Sequence, residues 1–162
     1  MKNRIIEFHT GPRNCGKSIY VENQLSIFNE LLYIATLPPI KDEYLKSIKK
    51  HRERRGNKWN TLEISFNFKH DILKINEYIQ DFNDYSACML DGIWTWFQFQ
   101  NELGNKNVTT TEFASELINI LSNSKSNWYL VDVDFYNETD LATIHYNLIR
   151  DLHITRIRNW RI

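Results

Sequence analysis

Gly11-Pro12-Arg13-Asn14-Cys15-Gly16-Lys17-Ser18 fits the pattern G-x-x-x-x-G-K-[ST], and its flanks decide the fold. The apolar run before it, residues 4–10, reads as a strand, and Val21, Leu25 and Phe28 after it fall at helical spacing. A strand, a glycine-bearing turn and a helix in that order make a phosphate-binding loop. Backbone N–H groups wrap the phosphate, and Gly11 and Gly16 keep side chains away where the backbone must approach closely. The helix N-terminus adds its dipole. Within this loop Pro12, Arg13, Asn14 and Cys15 line the nucleotide, Lys17 reaches the β- and γ-phosphates, and Ser18 is a ligand for Mg²⁺.

Outward from the loop the same alternation repeats. Residues 31–36, 61–68, 87–91 and 128–133 read as further strands, the third strand of the chain more alternating and placed at an edge. Between them Tyr44, Leu45 and Ile48 mark one helix face, and Ile72, Ile75, Ile79 and Phe82 another. Phe113, Leu117, Ile120 and Leu121 mark a later one, with Thr109 to Thr111 offering N-cap hydroxyls before it, and Leu141, Ile144, His145, Leu148 and Ile149 the last. Strands alternating with helices imply an α/β fold, a P-loop NTPase-like, mostly parallel sheet with helices on both faces. A single nucleotide-binding domain over residues 1–162 is the expected organisation. The stretch Arg158-Asn159-Trp160-Arg161-Ile162 offers no convincing final apolar strand.

A phosphate site of this kind also calls for an acid at the end of a hydrophobic strand, to hold Mg²⁺ directly or through water. Asp91, closing Cys88-Met89-Leu90 and followed by Gly92, and Asp132, beside Asp134, both qualify. Asp91 ends its strand more cleanly and is the expected metal-linked and catalytic acid.

Composition sets the class of partner. The 162 residues carry 20 Lys+Arg against 20 Asp+Glu, a net charge of zero, which argues against nucleic acid or an anionic membrane held by bulk attraction. Residues 41–58 nevertheless hold eight of those 20 basic residues against three acids, so the neutral total conceals one basic segment. Two cysteines, Cys15 and Cys88, fit a reduced compartment better than a disulfide scaffold. The apolar stretch at residues 5–8 is too short for a signal peptide, and a cytoplasmic, membrane-free protein is expected.

The basic segment gives the reading its specificity. After the second strand the chain runs Tyr33-Ile34-Ala35-Thr36, then Asp42-Glu43, Ile48, His51-Arg52, Arg55, Trp59, Thr61 and Glu63. This order resembles the bifunctional adenosylcobinamide kinase/adenosylcobinamide-phosphate guanylyltransferases, over roughly residues 4–100. That family shows a phosphate loop, a Tyr-Ile-Ala-Thr strand, a basic helix ending in His-Arg, and Trp-x-Thr-x-Glu. Leu90-Asp91 with an aromatic helix containing Trp96 looks like its next block.

The resemblance implies phosphorylation of the adenosylcobinamide hydroxyl from ATP or GTP, then transfer of GMP from GTP through a guanylylated histidine, which matches His51. It implies Arg52, Arg55 and Glu63 as nucleotide-binding residues, and a homo-oligomer with the 93–99 aromatic stretch as core or subunit interface. The sequence departs from the family at Pro12, Gly56 and Phe99, and at Asp132-Val133-Asp134, where the family has an Asn-Glu segment. A kinase without a histidine intermediate and a non-catalytic nucleotide-binding module are the alternatives.

Overall fold

Apolar runs too short to be helices and bounded by polar turns become strands of one sheet. The computed structural model describes residues 4–81, 85–133, 139–153 and 155–157. Along the chain these form β1 (Ile6–Gly11), α1 (Lys17–Leu25), β2 (Leu31–Ala35), α2 (Asp42–Arg55), a 3₁₀ turn (Gly56–Lys58) and β3 (Trp59–Glu63). There follow α3 (Phe68–Asp81), β4 (Ala87–Asp91), α4 (Ile93–Leu103), α5 (Thr110–Asn123), β5 (Asn127–Val133), α6 (Thr139–Leu152) and β6 (Thr155–Ile157). The six strands lie in the order β3-β2-β4-β5-β1-β6, and every neighbouring pair is parallel.

A parallel sheet needs crossover connections, and the helices that supply them cover both faces, so its strands are apolar on both sides. On one face Phe8, Leu32, Ile34, Cys88, Leu90 and Leu130 pack with Ile75, Trp96, Phe113, Leu117 and Leu148. On the other, Leu31, Tyr33, Met89, Tyr129 and Val131 pack with Val21 and Leu25 of α1. The helix that opens the phosphate site is thus anchored by apolar burial. By contrast α2 buries a single residue, Arg55. Its attachment rests on partly buried side chains, among them Tyr44 edge-on to Phe99 with ring centroids 6.0 Å apart, and on polar contacts.

Local chemistry sets several boundaries. Thr109 Oγ1 accepts from the Glu112 N–H at 3.1 Å, so the expected hydroxyl cap starts α5. The third strand, expected over residues 61–68, instead ends at Glu63, at the sheet edge as expected. Ile64 and Phe66 continue the alternation, but the chain turns there: Phe66 has φ +62°, and Asp71 Oδ1 accepts from the N–H and hydroxyl of Ser65 at 2.9 and 2.6 Å. The alternation belongs to a capped turn entering α3. A short strand that the sequence reading did not include lies just before residues 158–162, which are outside the described residues. Thr155–Ile157 pairs with β1 through three residues, too few for an apolar run to reveal.

The aromatic stretch resolves as core. Trp96, Phe97 and Phe99 are buried within the single chain, and Trp96 and Phe97 meet Phe113 with ring centroids 5.0 and 5.4 Å apart. These three rings pack in the chain's own interior, while Trp94 in the same stretch is half-buried against that core. Phe82, Asp134, Arg158 and Arg161 lie outside the described residues.

Candidate functional site

In a parallel sheet the strands' C-terminal ends and the N-termini of the following helices face the same edge, where ligands bind. Gly11, Ala35 and Asp91 end β1, β2 and β4 there, with Ala35 and Asp91 in register. The loop between β1 and α1 turns through two left-handed residues, Asn14 at φ +57° and Gly16 at φ +86°. A Cβ at Gly16 would meet nothing within 4 Å, so the space beside this residue is open. Pro12, Arg13, Asn14 and Gly16 are exposed and Cys15 is half-buried. The Lys17 side chain is buried and its ammonium donates to the Pro12 carbonyl at 3.0 Å.

Asp91 is the centre of the polar arrangement. Strand β5 separates β4 from β1, so Asp91 lies two strands from the loop strand, and α1 bridges the gap. Ser18 Oγ donates to Asp91 Oδ1 at 3.1 Å, and the Tyr33 hydroxyl donates to Asp91 Oδ2 at 2.7 Å. Thr36 Oγ1 donates to the Asp91 backbone carbonyl at 2.7 Å. The sequence expectation that joined Ser18 to Asp91 therefore corresponds to direct contact. Asp132, the rival acid, is buried, and its Oδ1 accepts from the N–H groups of Trp94 and Val133 at 3.2 and 2.9 Å. It caps the start of α4.

The basic segment forms α2, with Asp42 and Glu43 in its first turn and Arg52, Arg54 and Arg55 in its last, each set matching the helix dipole. Arg54 makes two hydrogen bonds to Glu22 of α1, at 2.7 and 2.8 Å. Arg52 pairs with Glu63 at the end of β3, both largely exposed. Arg55 turns inward, its guanidinium carbon 3.5 Å from the centroid of the Tyr33 ring. His51 lies half-buried one turn before Arg54. Burial, with help from the Arg54 and Arg55 charges, holds its pKa below the ordinary histidine value, against the opposing pull of Asp91 and Glu22. At neutral pH this imidazole is uncharged and its ring nitrogen is nucleophilic.

Sequence reasoning singled out Lys17, Ser18, Asp91, His51, Arg52, Arg55 and Glu63, but gave no role to Glu22, Tyr33, Thr36 or Arg54. Glu22 carried one signal, a carboxylate beside Val21 and one turn past Ser18, on the helix face that also buries Val21 and Leu25. The partner of such a charge, 32 residues away on another helix, has no signature in the sequence. His9, on β1 ahead of the loop, is fully buried and shares a 2.9 Å hydrogen bond with Glu7. Its Nδ1 is buried with no hydrogen-bond partner among the described residues, so Glu7 is the contact that holds the ring.

Comparison with known proteins agrees with this geometry. The family model described as cobinamide kinase / cobinamide phosphate guanyltransferase matches residues 8–148. Among solved structures, the chain is similar to the RadB recombinase with a TM-score of 0.54 at 15% identity, covering 88% of this chain and 70% of that one. It is also similar to the flagellar accessory protein FlaH from Methanocaldococcus jannaschii, with a TM-score of 0.51 at 12% identity, covering 88% of this chain and 67% of that one. At such identities the likeness shows the fold alone, the α/β architecture expected from the phosphate loop. No curated protein sequence matches. Among the described residues no helix is long and apolar enough to cross a membrane.

Proposed function

Since the chain belongs to the cobinamide kinase / cobinamide phosphate guanyltransferase family, we propose that it phosphorylates adenosylcobinamide and then guanylylates the product through His51. The observation that carries this reading is the joint placement of two chemistries. A phosphate loop with its Ser18–Asp91 pair and a histidine kept neutral stand on α1, β4 and α2, with Glu22–Arg54 tying the helices together.

In the first reaction the acceptor hydroxyl oxygen attacks the γ-phosphorus of a nucleoside triphosphate, the bond to the β-phosphate oxygen breaks, the diphosphate leaves, and the hydroxyl proton passes by way of the phosphate oxygens to solvent. The loop N–H groups and the Lys17 ammonium orient and neutralise the phosphates. Both carboxylate oxygens of Asp91 already accept hydrogen bonds, which suits a residue that orients better than one that must carry away a proton. In the second reaction a His51 ring nitrogen attacks the α-phosphorus of GTP. A P–N bond forms as pyrophosphate leaves. The phosphate oxygen of cobinamide phosphate then attacks the same phosphorus, the P–N bond breaks, and the imidazole is released neutral.

Ser18 Oγ and Asp91 Oδ1, two hard oxygens 3.1 Å apart at the loop, fit Mg²⁺, which takes few protein ligands and completes its shell with water and phosphate oxygens. Among the described residues no cluster of three or more His, Cys, Asp or Glu offers a dedicated protein-only cage, consistent with that preference. Bound there, the cation supplies charge neutralisation at the transferring phosphoryl group.

The test is incubation with α-labelled GTP and Mg²⁺ followed by mapping of acid-labile adducts. The wild-type chain is expected to label at His51 and His51→Ala to remain unlabelled while still phosphorylating adenosylcobinamide. A wild-type chain that never labels removes the guanylyl step. One that transfers phosphate to no cobinamide removes the kinase step.

A further inference from the structure

Tyr33 stands on β2 with its ring between two partners. The Arg55 guanidinium covers it at 3.5 Å, and Trp59 meets it edge-on at 6.0 Å between centroids. The side chain is 5% exposed, so the ring has one place to lie. From that place its hydroxyl reaches Asp91 Oδ2 at 2.7 Å, while Oδ1 faces Ser18. The Asp91 backbone is held separately, by Thr36 on its carbonyl and by the neighbouring Gly92 N–H donating to Val131 at 2.8 Å. Backbone anchoring leaves the carboxylate torsion undetermined. Among the described residues, the Tyr33 hydroxyl and Ser18 are the groups that set it.

We propose that Tyr33 is a positioning residue for the metal-linked acid: its hydroxyl pins Asp91 Oδ2 and thereby keeps Oδ1 turned to Ser18, where the divalent cation binds. This rests on the reading of Ser18 and Asp91 given above and adds a residue to it. Two features make the bond one-directional. An ionised carboxylate can only accept, so the Tyr33 hydroxyl is the donor in the 2.7 Å contact with Asp91. The Arg55 cation against the ring face draws electron density from it and strengthens the O–H as a donor. Arg55 is itself 8% exposed, and its Nε and Nη1 make no hydrogen bond among the described residues, so the ring face is its principal partner.

The experiment is calorimetric titration of the full chain with GTP, in Mg²⁺ and in EDTA, for wild type, Tyr33→Phe, Asp91→Asn and the double variant. Groups that orient a metal ligand typically change metal affinity by about 10- to 100-fold, so Tyr33→Phe is expected to lose about tenfold of the tightening that Mg²⁺ gives. Its metal-free affinity should stay within about twofold of wild type, since the loop contacts are untouched. Because Tyr33 acts through Asp91, the double variant should respond to Mg²⁺ no more weakly than Asp91→Asn alone. The inference is overturned if Tyr33→Phe responds to Mg²⁺ as wild type does, if it weakens equally with and without metal, or if the two substitutions add. Failure of Tyr33→Phe to fold would mark the hydroxyl as structural and overturn it too. A wild-type chain whose GTP affinity ignores Mg²⁺ would overturn the metal assignment to Ser18 and Asp91 along with it, an outcome distinct from any of these.

Discussion

Arg54 grips Glu22 with Nε on Oε2 and Nη2 on Oε1, at 2.7 and 2.8 Å, and so fastens the last turn of α2 to the middle of α1. Glu22 lies one turn beyond Ser18 and Arg54 one turn beyond His51. The pair therefore fixes the distance between the phosphate loop's helix and the histidine-bearing helix. Together with Arg55 on the Tyr33 ring and Arg52 on Glu63, this ion pair ties the last turn of the helix to the body near the site.

Removing one partner should reveal an asymmetry. The Glu22 side chain is 6% exposed and Arg54 26%, so Arg54→Met strands a buried carboxylate, whereas Glu22→Met leaves a guanidinium that can reach water. Loss of one member of a buried pair costs about 3–5 kcal/mol, and Arg54→Met should fall near the lower end of that range with Glu22→Met below it. The double substitution should recover much of the loss. Denaturant unfolding of the three variants checks the order.

The depressed pKa of His51 has a sign that can be followed in two experiments. The nucleophile is the neutral ring, so guanylylation should decline on the acid side only below the ordinary histidine value of about 6.5. Arg54→Met removes one cause of the depression and leaves the Glu22 charge unpaired, and both changes raise the pKa. The acid limb of the labelling profile should move toward higher pH. In stability the unfolded chain binds the proton more readily, so the contribution is fully present above the unfolded pKa and is lost as pH falls through the folded one. His51→Asn should flatten that acid dependence, read from unfolding midpoints across the same range.

Much of this was legible in the sequence because the loop pattern and the parallel-sheet runs are local signals. Gly11 to Ser18 fixes a strand–turn–helix, and the Leu31–Ile34, Cys88–Leu90 and Trp128–Val131 runs are apolar on both faces because both faces are covered. Alternation misled where a capped turn imitates it, at Ile64 and Phe66. The family resemblance named His51 and Asp91 but was silent on what holds them. Tyr33–Asp91 and Glu22–Arg54 join residues 58 and 32 positions apart, and only the sheet order and the packing of α2 on α1 make those pairs neighbours.

Two glycines at left-handed φ should respond differently to alanine. Gly16, at φ +86°, has no atom within 4 Å of the place a Cβ would occupy, so Gly16→Ala carries backbone strain of about 1–2 kcal/mol and little else. Gly16 belongs to the loop whose backbone would wrap the phosphate, so GTP affinity should fall by far more than stability. At Gly92, φ +97°, the methyl would lie 2.7 Å from Thr36 Oγ1 and 3.1 Å from Thr95 Oγ1. Overpacking adds about 1–3 kcal/mol there. Gly92→Ala should be the more destabilising, and Thr36→Ser beside it should not relieve it, because the hydroxyl is the clashing atom. Unfolding midpoints and GTP titrations on the same preparations separate the two effects.

The two cysteines offer a direct probe of the loop. Cys88 is fully buried on β4, and burial pushes its thiol up to about 12, so it has neither access nor thiolate at moderate pH. Cys15 is half-buried within the phosphate loop, directly before Gly16 and the start of α1. Alkylation of the native chain should therefore stop at one thiol, identified as Cys15 by peptide mapping, and both should react in denaturant. A nucleotide seated in the loop would cover Cys15, so GTP with Mg²⁺ should slow the native reaction while leaving the denatured rate unchanged. Equal native rates with and without GTP would place the nucleotide elsewhere, and native reaction at Cys88 would contradict the packing of β4.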